Sequence, residues 1–263
     1  MDFETILYTK SEGVARITLN RPERLNAINH ELQEDILAAL DDIDGDPEAR
    51  VVLITGAGRA FCAGADIGGG GRRDDEGSEG IRQGLRRGVQ RVPLALQRFD
   101  KPTIAMINGL AVGGGFDYAL ACDIRIGCEN SRFMVAFTRI GLFPGTGGTW
   151  LYPRAMGVAK ALEMLFTGDF MEADEALRVG VLNRLVPASE LEEFTMDMAR
   201  RIAKGPPIAQ RLAKLQVYKG LNMDFATALE VAAAAETITI TSEDAKEGRL
   251  AFREKRAAMF RGR

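Results

Sequence analysis

The chain has 263 residues, a formal net charge of −3, and a hydrophobic fraction of 46%. It is long enough to bury a large core and too hydrophobic for an intrinsically disordered chain. The nearly balanced charge excludes a strongly basic, nucleic-acid-binding surface. The N-terminal segment MDFETILYTKSEG lacks an apolar stretch, and the longest uncharged run, residues 102–116, is too short to span a bilayer. We therefore expect a cytoplasmic protein with no membrane and no nucleic-acid partner.

Three cysteines and one histidine limit the possible chemistry. Cys62, Cys122 and Cys128 show no CxxC spacing, which argues against a disulfide scaffold and a structural zinc site. His30 begins the helical pattern HELQEDILAAL, directly after Asn29, a good N-cap residue. We therefore expect His30 on the surface without a catalytic role, and we expect no metal site.

The first half of the chain alternates strands, glycine turns and helices. The residue patterns predict a hairpin from residues 6–8 and 14–19, a helix after Asn29, and a buried strand within RVVLITGAG, residues 50–58. They also predict buried strands at 103–107 and 124–127 and a helix over 116–122. Such an alternation is typical of an α/β core.

From residue 158 onward the sequence is predominantly helical in its periodicity and cap chemistry. One further strand is expected there, within residues 182–186. We expect a core over residues 1–200 and a helical region over residues 201–263. The apolar positions Phe225, Leu229, Leu250, Phe252 and Phe260 exceed what one core needs, which indicates packing on a partner subunit.

Glycine is abundant, with 29 residues, and forms two informative clusters. The stretch GGGGRRDDEGSEG, residues 68–80, has almost no apolar residue, so we expect a mobile surface segment that becomes protected when a ligand binds. Directly after it, Arg82, Arg86, Arg87 and Arg91 form two i, i+4 pairs on a predicted helix. A solvated helix face is favoured over phosphate binding for these arginines.

The second cluster is AVGGGFDYALACD, residues 111–123, where three glycines lie between a strand and a helix. Free backbone N–H groups at a helix N-terminus form an anion site, and Asp117 would lie in the first turn beside it. Such a site suits an anion that develops during a reaction. The alternative is that the glycines serve only close packing between strand and helix.

Four motifs together resemble the crotonase, or enoyl-CoA hydratase/isomerase, family over essentially the whole chain: RITLNRPERLNAIN, VVLITGAGRAFCAGADI, INGLAVGGGFDYALACDIRI and IGLFPGTGGTWLYPRAMG. The resemblance implies an α/β fold, a crotonase-like spiral of β-β-α turns with a helical C-terminal trimerisation region. It also implies an acyl-CoA substrate, a homo-trimer or homo-hexamer, and no cofactor other than the coenzyme A of the substrate.

The resemblance also implies the roles of individual residues. The thioester oxygen would be held by the backbone N–H groups of Ala65 and Gly114. Coenzyme A and the acyl group would lie along Arg24, Leu25, Ala63, Asp66, Ile67, Gly113 and Phe137, with Lys255 supplied by a neighbouring subunit. A lysine that often follows the ADI triplet in the family is replaced here by Gly68.

The catalytic positions depart from the family pattern. Hydratases of the family use two glutamates, whose positions are occupied here by Asp117 and Phe137. An aspartate that some relatives use instead is replaced by Gly145. One carboxylate with an oxyanion site favours a double-bond shift, because water addition also needs the water to be positioned. Hydration by Asp117 alone and a catalytically silent acyl-CoA-binding oligomer are the alternatives.

Overall fold

The computed structural model describes residues 2–66 and 77–263. In this part of the chain the strands are β1 (Ile6–Ser11), β2 (Val14–Leu19), β3 (Val51–Gly56), β4 (Ala60–Cys62), β5 (Thr103–Ile107), β6 (Leu110–Val112), β7 (Ile124–Gly127), β8 (Arg132–Met134), β9 (Phe170–Glu172) and β10 (Arg184–Leu185). The helices are α1 (His30–Asp44), α2 (Ser78–Arg87), α3 (Arg91–Arg98), α4 (Gly114–Ala121), α5 (Gly148–Thr167), α6 (Ala173–Arg178), α7 (Leu191–Ala203), α8 (Pro207–Gly220), α9 (Phe225–Thr241) and α10 (Glu243–Glu254).

The strands form two sheets. The larger sheet has the order β1-β2-β3-β5-β7-β10, with β1 antiparallel to β2 and the other pairs parallel. The smaller sheet has the order β4-β6-β8-β9, with only β9 antiparallel to its neighbour. All residues of β3 and β5 are buried, as expected for parallel strands covered on both faces.

Consecutive strands alternate between the two sheets. β3, β5 and β7 belong to the larger sheet, and the strand that follows each of them, β4, β6 or β8, belongs to the smaller one. Helical segments follow each pair before the next turn begins. The fold is therefore the predicted spiral of β-β-α turns, and its turns place several loops at one edge of the smaller sheet.

Several local predictions are confirmed. The hairpin of β1 and β2 forms, and the Asn29 side chain accepts a hydrogen bond from the Leu32 N–H at the start of α1. His30 is exposed in the first turn of that helix. The strands predicted at 103–107 and 124–127 have the predicted bounds.

The expectation of a single strand after residue 158 is wrong. β9 pairs antiparallel with β8 through Met171 and Phe133, and the strand predicted at 182–186 contains only Arg184–Leu185. Strands of two or three residues are too short for their side chains to show a period in the sequence. Their existence depends on the neighbouring strand to which they hydrogen-bond.

The arginine segment also differs from the prediction. α2 ends at Arg87 and α3 begins at Arg91, so the expected i, i+4 pair of these two residues does not exist. Gly88 at the end of α2 interrupts the helix. Of the predicted mobile segment 68–80, residues 68–76 lie outside the described residues, while residues 78–80 form the first turn of α2.

The C-terminal helices expose a large apolar surface. α8 and α9 bury none of their residues, and Phe225 and Phe252 are 78% and 85% exposed. Phe260 is an exception to the predicted apolar face, because it is partly buried and its carbonyl accepts a hydrogen bond from Arg50 at 2.9 Å. The division of the chain into a core up to residue 200 and a helical region after it stays a prediction. Across the described ranges, every helix is too short or too polar to cross a membrane.

Candidate active site

The glycine turn between β6 and α4 is held in a conformation that requires glycine. Gly113 has φ 52° and ψ −121°, a region that side chains with a Cβ rarely enter. Its N–H donates to the Met134 carbonyl of β8 at 2.9 Å. The chain therefore turns sharply from β6 into α4, and Gly114 becomes the first residue of the helix, where its N–H has no partner within the helix.

The second segment of the site, residues 63–66, runs beside Ile28. The Ile28 N–H donates to the Gly64 carbonyl at 2.7 Å, and the Asp66 N–H donates to the Ile28 carbonyl at 2.9 Å. Ala65 lies between these two bonds, so its N–H points to the opposite side. A Cβ placed on Gly64 would lie 3.5 Å from the Gly114 nitrogen, so the two segments are in contact.

The structure therefore brings the two predicted N–H groups to neighbouring positions. Within residues 2–66 and 77–263, neither the Ala65 N–H nor the Gly114 N–H donates to a protein acceptor. Two free N–H groups, one of them at a helix N-terminus, are suited to stabilise negative charge on an oxygen.

The predicted coenzyme A residues are partly gathered beside this site. The Ala63 N–H donates to the Leu25 carbonyl at 3.0 Å, which joins the segment of Arg24 and Leu25 to the segment of Ala63 to Asp66. Arg24 is exposed, whereas the Asp66 carboxylate forms an ion pair with Arg21 at 2.9 Å. Ile67 lies outside the described residues.

Lys255 is exposed at the C-terminal end of α10, with a left-handed backbone. Its side chain forms no ion pair with the part of the chain that the structure covers. The single chain therefore does not connect Lys255 to the glycine turn, and its role stays a prediction for an assembly.

Asp117 lies in the first turn of α4 and is completely buried. Its Oδ2 accepts a hydrogen bond from the Thr146 hydroxyl, whereas its Oδ1 and the nearby Tyr152 hydroxyl have no hydrogen-bond partner among the described residues. Burial raises the pKa of Asp117 to about 6, against the lowering effect of the Thr146 and Tyr152 hydroxyls. A carboxyl group with such a pKa can accept and return a proton near neutral pH.

The side chains that act on the Asp117 carboxylate come from the loop before α5 and from α5 itself. Phe137 lies over the glycine turn, with its ring 3.7 Å from the position that a Cβ on Gly113 would occupy.

Thr146 and Tyr152 were not identified as functional residues from the sequence. Both belong to the motif PGTGGTWLYPR, in which the glycines dominate the pattern. A hydroxyl in a loop and a tyrosine in a helix are common and carry no spacing signal. Only the packing of this motif against α4 shows that the Thr146 hydroxyl bonds to Asp117 and that the Tyr152 hydroxyl lies near the same carboxylate.

A cavity of about 420 Å³ opens beside Thr146. Its walls come from α3, the loop before α5, and the start of α5, and include Gln90, Leu94, Gln97, Phe143 and Trp150. The Gln90 side chain also donates to the Gly145 carbonyl at 2.8 Å, which fixes the loop that carries Thr146. The cavity is mainly apolar with a few amide groups, a composition that suits a small organic ligand.

Residues 2–66 and 77–263 contain no group of three or more histidine, cysteine, aspartate or glutamate side chains placed to hold a metal ion.

Comparisons with known proteins identify the family of the chain. Residues 9–263 match the family model of enoyl-CoA hydratase/isomerase. The chain is 38% identical over 265 residues to a probable enoyl-CoA hydratase of Rhodobacter capsulatus, with 100% of both chains covered. It is 33% identical over 260 residues to the 1,2-epoxyphenylacetyl-CoA isomerase of Escherichia coli, with 99% of both covered.

A solved structure has the same fold. The crystal structure of enoyl-CoA hydratase from Bacillus anthracis superimposes with a TM-score of 0.93 at 36% identity, covering 99% of this chain and 100% of that chain. The spiral fold and the sequence motifs therefore lead to one family.

Proposed function

The chain belongs to the enoyl-CoA hydratase/isomerase family of enzymes, and we propose that it acts on an acyl-CoA thioester through a stabilised enolate. The Ala65 and Gly114 N–H groups would bind the thioester oxygen and stabilise its negative charge. Asp117 would be the single acid/base that removes a proton from the acyl chain and returns it. No separate cofactor is required in this scheme.

One observation carries this proposal: a buried carboxyl group with a pKa of about 6 lies in the first turn of the helix that begins at Gly114. The same turn therefore combines a site for a developing oxyanion with a base that is ionised at neutral pH. Proton abstraction next to a thioester requires both, because the enolate forms only when its oxygen is stabilised while the proton leaves.

The occupation of the second acid position by Phe137 favours isomerisation over hydration. The aromatic ring lies over Gly113 and can neither accept a proton nor hold a water molecule by a carboxylate. A double-bond shift needs one base that moves a proton between two carbons, whereas water addition needs the water to be oriented and activated. The relatives include both a hydratase and an isomerase.

Coenzyme A is proposed to lie along Arg24, Leu25, Ala63, Asp66 and Ile67, with the acyl group near Gly113 and Phe137. A homo-trimer or homo-hexamer is proposed because α8 and α9 bury none of their residues within the single chain. In such an assembly Lys255 of one subunit would approach the coenzyme A of another. A cytoplasmic location stays a prediction.

Product analysis in deuterated water tests the proposed reaction. Enoyl-, dienoyl- and aryl-acyl-CoA thioesters are incubated with the protein, and the products are analysed for deuterium and for added water. Deuterium incorporation with an unchanged oxygen content is the expected result for an isomerase. A hydroxyacyl product would assign hydration instead. Tight binding with neither outcome for any thioester would support the silent acyl-CoA binder.

A further inference from the structure

Thr146 lies where three parts of the site meet. Its hydroxyl donates to Asp117 Oδ2, and its side chain lines the 420 Å³ cavity. It also packs against the glycine turn, since a Cβ placed on Gly114 would lie 3.9 Å from Thr146 Oγ1 and 3.8 Å from its methyl carbon. The hydroxyl is thus positioned between the cavity, the N–H group of the oxyanion site and the carboxylate.

Asp117 itself has no exposed surface, whereas Thr146 keeps 7% of its surface accessible. Asp117 is also absent from the walls of the cavity, to which Thr146 contributes. Of the two hydrogen-bonded partners, Thr146 is therefore the one that a molecule in the cavity would touch.

We propose that Thr146 relays protons between a bound acyl-CoA and Asp117, which makes Thr146 a catalytic residue in contact with the substrate. This inference rests on the proposed function and names a further participant in it. It assigns a chemical role to a hydroxyl that lines the cavity and donates to the buried carboxylate.

The relay moves two protons in one step. The C–H bond of the substrate breaks, its proton goes to Thr146 Oγ1, and the hydroxyl proton of Thr146 goes to Asp117 Oδ2. The electron pair of the C–H bond remains on the substrate as the enolate, whose negative charge lies on the thioester oxygen. Asp117 becomes a neutral carboxylic acid. The reverse movement delivers a proton to a different carbon and restores the ionised Asp117, so that no external reactant is consumed.

A concerted transfer is needed because a free threonine alkoxide is too basic to form near neutral pH. The hydrogen bond to Asp117 is already made, so the hydroxyl is oriented with its proton on the carboxylate side and its lone pairs free for the substrate. The pKa of Asp117, raised by burial to about 6, leaves the carboxylate ionised at neutral pH and ready to accept this proton.

Three variants test the relay, with deuterium exchange of a thioester that wild type turns over as the readout. Thr146→Val keeps the shape of the side chain and removes the hydroxyl, and Thr146→Ser keeps the hydroxyl. Asp117→Asn removes the base. We expect Thr146→Val to lower the exchange rate by roughly 10²-fold or more at every pH, and Thr146→Ser to stay within about tenfold of wild type. Binding of a saturated acyl-CoA, which cannot react, is measured as the control.

The pH dependence distinguishes a relay from a merely structural hydrogen bond. If Thr146 only stabilises ionised Asp117, Thr146→Val raises the pKa of Asp117, and full activity returns at pH 9, where the carboxylate is ionised. If the exchange rate of Thr146→Val recovers at high pH, the relay is overturned. It is also overturned if Thr146→Val exchanges at the wild-type rate at neutral pH. Loss at all pH values with rescue by serine supports it. Thr146→Ala, which also lacks the hydroxyl, provides the same test if the valine variant does not fold.

Asp117→Asn separates this inference from the proposed function. If Asp117→Asn keeps the exchange rate of wild type, the assignment of Asp117 as base is wrong and the relay fails with it. If Asp117→Asn loses exchange and Thr146→Val retains it, Asp117 reacts directly with the substrate, and only the relay is overturned.

Discussion

The ring of Tyr152 stacks on that of Phe116, with ring centroids 5.4 Å apart and planes 22° apart. This stacking, together with the absence of a side chain on Gly148, brings the Tyr152 hydroxyl into the buried space beside Asp117. A Cβ on Gly148 would lie only 2.5 Å from that hydroxyl, so a larger residue there would displace the ring. The carboxylate is therefore approached by a tyrosine hydroxyl in addition to that of Thr146.

Removal of the Tyr152 hydroxyl should raise the pKa of Asp117. The hydroxyl favours the ionised carboxylate and lowers this pKa, so Tyr152→Phe leaves the charge less stabilised. The acid limb of the kcat/KM profile, expected near pH 6 for wild type, should move to higher pH. Activity above the new limb should be largely retained.

Tyr118→Phe is the matched control for this variant. Tyr118 follows Asp117 in the chain, and its hydroxyl is also buried without a partner among the described residues. Unlike the Tyr152 hydroxyl, it does not contribute to the pKa of Asp117. The acid limb of the kcat/KM profile of Tyr118→Phe should coincide with that of the wild-type protein. An unchanged limb in Tyr152→Phe would show that Tyr152 does not interact with the carboxylate.

Introduction of a glutamate at position 137 should increase hydration relative to isomerisation. The Phe137 ring lies over the glycine turn, so Phe137→Glu places a carboxylate beside this turn. A second carboxylate can hold and deprotonate water. The ratio of hydroxyacyl to isomerised product measures the effect, and Phe137→Gln, similar in shape but not basic, is the control. An equal ratio in the two variants would show that the missing carboxylate does not limit hydration.

Asp117 is expected to reduce the stability of the folded protein at neutral pH. Its pKa is raised in the folded state from 3.8 to about 6, so the folded state binds the proton more tightly, and stability decreases as the pH rises through this interval. Asp117→Asn should therefore increase the free energy of unfolding at pH 8 by on the order of 2–3 kcal/mol. At pH 4 the gain should be close to zero.

Urea unfolding of the wild-type protein and of Asp117→Asn at pH 4 and pH 8 measures the difference in their free energies of unfolding. A gain of the same size at pH 4 and pH 8 would show that the substitution acts through packing and not through the charge. A loss of stability at pH 8 would show that the ionised carboxylate is compensated in the folded state.

Local patterns predicted the glycine turn and the position of Asp117 in the first helical turn, whereas the pair of Ala65 and Gly114 N–H groups was inferred from the family resemblance and stays a prediction. Glycines between a strand and a helix, and an acid in the first helical turn, are recognisable from neighbouring residues. The partners of Asp117 were not predictable in this way. Thr146 and Tyr152 lie 29 and 35 positions further along the chain, and they reach Asp117 only because α5 packs against α4.

The same distinction applies to the fold. β3 and β5 are long enough to show apolar runs in the sequence, whereas β9 contains three residues and is defined by its pairing with β8. The interruption between Arg87 and Arg91 was also missed, because the charge pattern is compatible with one helix. Short strands and helix interruptions are decided by tertiary contacts.

The exposed apolar surface of the C-terminal helices should be covered by other copies of the chain. Phe225 in α9 and Phe252 in α10 are 78% and 85% exposed, which is unfavourable for a monomer in water. Light scattering of wild type at micromolar concentration should give the mass of a trimer or hexamer. Phe225→Glu and Phe252→Glu should dissociate it, because each places a charge in an apolar interface.

Leu7→Glu is the control for these two variants. Leu7 is 53% exposed but lies in β1 and not in the C-terminal helices, so the oligomer should persist. A monomeric mass for the wild-type protein would contradict the proposed assembly.

The exchange rate of Asp117→Asn in deuterated water measures whether Asp117 is the acid/base of the reaction. The substitution preserves the shape of the side chain and removes the base that is buried beside the Gly114 turn. We expect turnover and deuterium exchange of the best wild-type thioester to fall by roughly 10²- to 10⁴-fold, with acyl-CoA affinity nearly unchanged. Exchange at a near-wild-type rate would show that Asp117 is not the base and that a different residue moves the proton.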